Sequence, residues 1–156
     1  MNVYSPGPIT KPERITEFEK SIGLELPEDY RAFLIKHNGG CPCPSSFETE
    51  SGIVVSVTRL LSLGAPLSFD RLETNYKSNA WSEGFVNGII KIGYDPGGQE
   101  LMMATSGTIK GSIYLIIDND AHLAAKSFTE FMRRLEEQSG AEPNAYDQLL
   151  KRLQAR

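Results

Sequence analysis

The run Ile89-Ile90-Lys91-Ile92-Gly93-Tyr94, the turn Asp95-Pro96-Gly97-Gly98, the run Gln99 to Thr105 and, past Ser106-Gly107, the run Gly111-Ser112-Ile113-Tyr114-Leu115-Ile116-Ile117 decide the fold. The runs are dense in β-branched, aromatic and long apolar residues, and each interruption carries glycine, so three strands in an antiparallel meander are predicted. In the last run Ile113, Leu115 and Ile117 point to one face and Tyr114 and Ile116 to the other. Both faces need cover, and helices must supply it.

Helical patterns stand on either side of this stretch. Thr10-Lys11-Pro12-Glu13 offers a hydroxyl N-cap, a proline in the first turn and a carboxylate able to reach back, followed by Ile15, Phe18 and Ile22 on one face and Gly23 as the stop. A second helix starts at Pro27, with Glu28 and Asp29 near its positive end and Tyr30, Phe33 and Leu34 on one face, and Asn38-Gly39-Gly40 ends it. Downstream, Ser127-x-x-Glu130 is a capping box opening a helix striped by Phe128, Phe131, Met132 and Leu135 and closed by Ser139-Gly140. Asn144 caps a last amphipathic pattern bearing Tyr146, Leu149, Leu150 and Leu153.

The connecting segments read less clearly. Cys41 to Gly52, rich in Pro, Ser, Thr and Glu, is expected as an exposed loop. Ile53 to Val57 reads as a strand that Arg59 to Leu63 continues or bends into a neighbour, and Ala65 to Asn87 as a helical turn and a loop. The order helices, strands, helices indicates an α+β domain with a central antiparallel sheet and N-terminal and C-terminal helices packed against it, rather than alternating βαβ units. Residues 1–156 are expected to form this single domain, with 1–9 an extended leader and 141–156 a C-terminal helical extension.

Composition narrows function. The 156 residues carry 16 Lys+Arg against 20 Asp+Glu, a formal charge of -4, which disfavours binding to DNA, RNA or anionic lipid because phosphates need excess cationic surface. The apolar runs around Ile53 and Ile113 are far shorter than the roughly 18 to 20 residues of a membrane span. The first residues lack the pattern of a secretory signal, so the cytoplasm is the expected compartment. Cys41-Pro42-Cys43 would close too small a loop to gain much from a disulfide, and free thiols are expected.

No constellation of catalytic or metal-binding residues stands out. His37, Cys41 and Cys43 lack a fourth zinc ligand, and the alternative is a helix-terminal histidine complementing the dipole, followed by ordinary cysteines. Asp118-Asn119-Asp120 begins like a calcium loop, but Leu123 and Thr129 stand where glycine and glutamate are required, so a turn is expected. The glycines at 97, 98 and 107 precede no Lys-Ser or Lys-Thr. No Gly-x-Ser-x-Gly elbow exists, and His37 and His122 sit in unrelated contexts. A carboxylate-only hydrolase stays open in principle, yet no acidic pair is marked out. Aromatics Tyr30, Phe33, Phe128 and Phe131 read as core, whereas Trp81 is unassigned. Neither cofactor nor metal is expected. Glu48, Glu50, Asp95, Glu100, Asp118 and Asp120 fall on predicted loops or strand ends, where a basic partner could meet them.

Three blocks in order carry a resemblance. They are Ile15-x-x-Phe18-Glu19 with Leu26-Pro27-x-x-Tyr30-x-x-Phe33-Leu34 and Asn38-Gly39-Gly40; then Ile92-Gly93-x-Asp95-x-Gly97-Gly98; then Gly111 to Ile117 followed by Ser127-Phe128-x-x-Phe131. From Ile15 to Leu135 the chain resembles the SUKH superfamily, which includes bacterial toxin-immunity proteins and fungal cell-wall-assembly regulators of the Smi/Knr type. It departs from that pattern at Gln99, where the family often has Asn, and at Ile117-Asp118-Asn119, where it often has Trp-Asp-His. The resemblance implies an α+β domain that binds and neutralises a cognate protein toxin, often a nuclease, without catalytic residues. A regulatory scaffold of the Smi/Knr type is the other implied role.

Overall fold

The computed structural model describes residues 2–77 and 88–138, together with 149 and 152–154. The central sheet is an antiparallel meander in the order β5 (Arg59–Leu60), β6 (Ile89–Tyr94), β7 (Glu100–Ala104), β8 (Ile113–Ile117) and β9 (Asp120–Ala125). Its three middle strands are those that the run from Ile89 to Ile117 predicts. Leu101 pairs with Leu115 and Met103 with Ile113, so that Ile90, Ile92, Leu101, Met103, Ile113 and Leu115 join one hydrophobic core. Met102 and Ile116, which alternate with those residues, are also buried.

Helices α1 (Pro12–Ile22), α2 (Glu28–Lys36) and α4 (Phe128–Glu137) supply the other half of that core. The fold is α+β, as expected. The tightest packing is aromatic: Phe128 lies 4.8 Å from Phe33 and 5.1 Å from Tyr30, centroid to centroid, and Phe131 meets Phe47 at 5.7 Å. These rings are nearly or fully inaccessible, and burial pushes the Tyr30 hydroxyl pKa upward. The capping box at Ser127 forms with one adjustment. The Ser127 hydroxyl accepts from the Glu130 N–H at 3.0 Å, while the Glu130 carboxylate reaches back to the Lys126 N–H at 2.7 Å, one residue before the cap. Asp29 of α2 completes the end of α4 by accepting from the Thr129 N–H and hydroxyl at 2.9 and 3.0 Å.

The Asn38-Gly39-Gly40 stop is also a junction. Asn38, at φ 52°, buries its amide, which donates to Pro8 and Leu63 carbonyls and accepts from the Leu63 N–H. Gly39 sits at φ 77°, where a Cβ would meet the Ser62 hydroxyl at 2.4 Å and the Leu61 carbonyl at 2.5 Å, so no other residue fits there without movement. Gly40 then bridges to Leu60 and carries the sheet outward from β5, onto β2 (Cys41–Cys43) and β1 (Asn2–Tyr4). Asn2–Tyr4, within the stretch read as a leader, are thus a paired strand.

Several expectations are corrected. Cys41 to Gly52 is not an exposed loop: it forms β2 and β3 (Ser46–Glu48), the latter paired with β4 (Val54–Ser56) in a hairpin. Cys41, Cys43, Ser45, Phe47 and Thr49 are all buried, a period-two stripe that the Pro/Ser-rich composition hides. Thr10 does not cap α1. Lys11 holds the cap position without a side-chain bond, and the buried Thr10 hydroxyl donates instead to the Pro8 carbonyl. Asp118 and Asn119 form the expected turn, with φ 50° and 68°, but the turn leads into an unforeseen strand, β9. Its alanine-rich sequence has little strand propensity.

Between β5 and β6, a 3-10 turn (Ser68–Asp70) and α3 (Leu72–Asn75) supply the expected helical turn. Asp70 lies 3.3 Å from the Arg59 Nε and accepts from the Tyr94 hydroxyl at 2.8 Å. That hydroxyl's pKa is raised by burial and by Asp70. The expectations at Ser78-Asn79, Trp81, Glu83-Gly84, Ser139-Gly140, Asn144 and Tyr146 lie outside the described residues. Of the last helical pattern, Leu149 and Arg152, Leu153 and Gln154 are helical, with both leucines exposed.

If the aromatic cluster holds α4 to α2, Phe128→Ala should lose about 3 to 5 kcal/mol of stability in chemical denaturation. A loss within about 0.5 kcal/mol, typical of surface sites, would contradict this packing.

Candidate partner-binding surface

The structure separates the six acidic candidates by environment. Asp95 is half-buried and builds its own turn, its Oδ1 accepting from the N–H groups of Gly97 and Gln99 at 3.0 and 2.7 Å. Glu100 stands at a strand end as expected, opening β7 opposite Tyr94, but it is buried, 3.5 Å from the Lys91 ammonium. Burial beside Lys91 removes Glu100 from the solvent-exposed surface. Glu48, Glu50, Asp118 and Asp120 are exposed, and none of the four takes part in an ion pair among the described residues.

The β6–β7 and β8–β9 turns lie at the same end of the meander, as antiparallel connections two strands apart must. A cleft of about 480 Å³ joins them, lined by Lys91, Gly98, Gln99, Glu100, Ile116, Asp118 and Asn119. The cleft therefore brings Asp118 to Glu100. Glu50 belongs elsewhere, on the wall of a second cleft of about 550 Å³ that runs along Ala121 to Lys126 and is bounded by Thr49, Ser51, Glu130 and Arg134. Asp120 precedes that cleft directly in sequence. Within the cleft wall, the Lys126 N–H and the Arg134 guanidinium hold the Glu130 carboxyl below the usual carboxylate range.

Sequence reasoning missed β9 and hence the second cleft. The only available signal was Asp118-Asn119, a dipeptide that tolerates the left-handed backbone of a two-residue hairpin turn.

The other sequence candidates have structural surroundings. Cys41 and Cys43 are buried and unbridged. His37 ends α2 with its ring 5.4 Å from that of Phe33. Its pKa is lowered, first by burial and then by Lys36. Among the described residues no group of three or more His, Cys, Asp or Glu side chains is placed to hold a metal ion. No helix among them is long and apolar enough to cross a membrane.

A helix-backed antiparallel meander, with a capping-box helix returning onto the Leu-Pro-x-x-Tyr helix, defines an α+β domain of SUKH type. Residues 9–134 match the SMI1 / KNR4 family (SUKH-1), and the chain belongs to that family. No match was found among curated proteins.

Glu100→Gln should cost on the order of 3 kcal/mol, because it removes the carboxylate partner of Lys91 from a nearly closed site. An unchanged unfolding midpoint would return Glu100 to the surface candidates. Glu130 gives a pH test. Its folded pKa is depressed, so its ionised form stabilises the fold above the unfolded carboxylate pKa, and that contribution fades as pH falls through the folded value. The stability gap between the wild type and Glu130→Gln should therefore narrow on acidification; a gap constant through the carboxylate range would contradict the assignment.

Proposed function

We propose that this chain is a cytoplasmic immunity protein that binds and neutralises a cognate protein toxin, a nuclease being one candidate class. The observation that carries the reading is membership of the SMI1 / KNR4 (SUKH-1) family across residues 9–134. The surface supports it: Glu48, Glu50, Asp118 and Asp120 are exposed carboxylates, not absorbed by ion pairs among the described residues, on a chain of net charge -4. Such carboxylates steer a basic partner and raise its association rate. Neutralisation by occlusion requires no chemistry from the chain, so we assign it no catalytic residue, cofactor or metal. Asp95 and Glu100 act in this reading through the turn and the sheet end that they shape, rather than by direct contact.

The test is capture of the tagged chain from its native cells with neighbouring genes expressed, and mass spectrometry of any stoichiometric partner. One tight partner that is toxic when expressed without this chain would establish immunity. Several nontoxic regulatory partners would favour a Smi/Knr-type scaffold instead.

With that partner in hand, reversing Glu48 and Glu50, or Asp118 and Asp120, to Lys should slow association severalfold at low salt and flatten its salt dependence. Association kinetics that match the wild type at every ionic strength would remove those positions from the site.

A further inference from the structure

Among the described residues the sheet is prolonged at one end and open at the other. On the β5 side it is prolonged through the Gly40–Leu60 bridge to β2 and β1, whereas β9 is paired only with β8 among the described residues. The geometry of the turn tells which main-chain groups are left open. Ile117 and Asp120 flank the two-residue turn Asp118-Asn119 and form the hydrogen-bonded closing pair of the hairpin, so the next pair, Ile116 with Ala121, is not bonded across the ladder. Alternation then directs the N–H and C=O groups of Ala121 and Leu123 away from β8. Both residues are exposed, Leu123 by 44%, and both line the 550 Å³ cleft.

We propose that this edge receives an extended segment of a partner protein, which adds to β9 as a further strand. The inference rests on the protein-binding reading above and names the contact. Main-chain donors and acceptors spaced along an open edge are complementary to another extended main chain, and this mode of recognition is widespread. The cleft is walled opposite β9 by the Thr49–Ser51 turn and by Arg134, which fits one segment rather than the rigid sheet of a second folded copy. The small side chain of exposed Ala121 permits close backbone approach. The charges give the segment a polarity: Asp120 is exposed where β9 begins and Lys126 where it ends, so a basic residue belongs beside Asp120 and an acidic one beside Lys126. Arg134 is already engaged by Glu130.

The discriminating variant is Leu123→Pro. Its lost N–H is one that points away from β8, and proline is tolerated on edge strands at such positions, so folding should survive while strand addition is blocked. Leu123→Thr keeps the N–H and changes only the side chain. The probe is a displayed library of random ten-residue segments panned against the immobilised chain. Enriched segments should bind Leu123→Thr nearly as well as the wild type and Leu123→Pro about tenfold or more weakly, the equivalent of losing one or two main-chain hydrogen bonds. Segments indifferent to the proline, or no enrichment, would overturn the proposal. Should Leu123→Pro fail to fold, amide hydrogen exchange on the wild type replaces it: enriched segments should slow exchange at Ala121 and Leu123, and protection elsewhere alone would count against the edge. Sedimentation showing a dimer that Leu123→Pro dissolves would give the edge to a second copy and equally overturn the assignment. A toxic partner that binds Leu123→Pro with wild-type affinity would sink strand addition while leaving the immunity reading intact.

Discussion

The contact of Phe128 with Phe33 and Tyr30 constrains most of the molecule. It joins α4, which follows the last strand, to α2, which precedes the first strand of the meander, and so closes the helical layer over the inner face of the sheet. Phe131 extends the same cluster to Phe47 on the β3–β4 hairpin. The polar bonds around it follow from that closure: Asp29 can reach the start of α4 only because the two helices are held together by their rings. Aromatic burial supplies stability over a large area, and the hydrogen bonds at the helix end fix the register.

With the inner face so committed, the proposed interaction falls to the margins of the sheet. One margin is consumed by the chain itself, through Gly40, β2 and β1. The other carries, among the described residues, an open edge at β9, exposed carboxylates at Asp118 in the turn and Asp120 at the start of the strand, and a hairpin wall bearing Glu50. The Asn38-Gly39-Gly40 stop thus serves the closed margin. Asn38 fastens the N-terminal residues, and Gly39 admits the close passage of the Leu61–Ser62 backbone.

Much of this architecture was legible in the residues. Strands with strong β-branched content between glycine turns were found, and so were helices marked by caps, apolar stripes and terminal glycines, because each signal is local. What was hidden depends on tertiary partners. The stripe from Cys41 to Thr49 is built from cysteine, serine, phenylalanine and threonine, residues whose burial is set by neighbouring strands rather than by their own hydrophobicity. Thr10 looked like a cap, but its hydroxyl is drawn inward to Pro8. Glu100 looked like a strand-end charge, and only the pairing of β6 with β7 shows that it meets Lys91 inside the sheet. The acidic surface was partly legible: exposed carboxylates were named correctly at 48, 50, 118 and 120, while the open edge beside them required knowing that Asp120–Ala125 is a strand.

In the proposed reading a partner binds at the β9 margin and not on the helical layer. Hydrogen–deuterium exchange of the chain, free and in complex with a stoichiometric partner captured with it, is the measurement that decides between these surfaces. Binding at β9 should give new protection concentrated in residues 118–126 and at the tip of the β3–β4 hairpin, with α1 and α2 unchanged. Protection confined to α1 and α2, with the β9 amides exchanging as in the free chain, would contradict it.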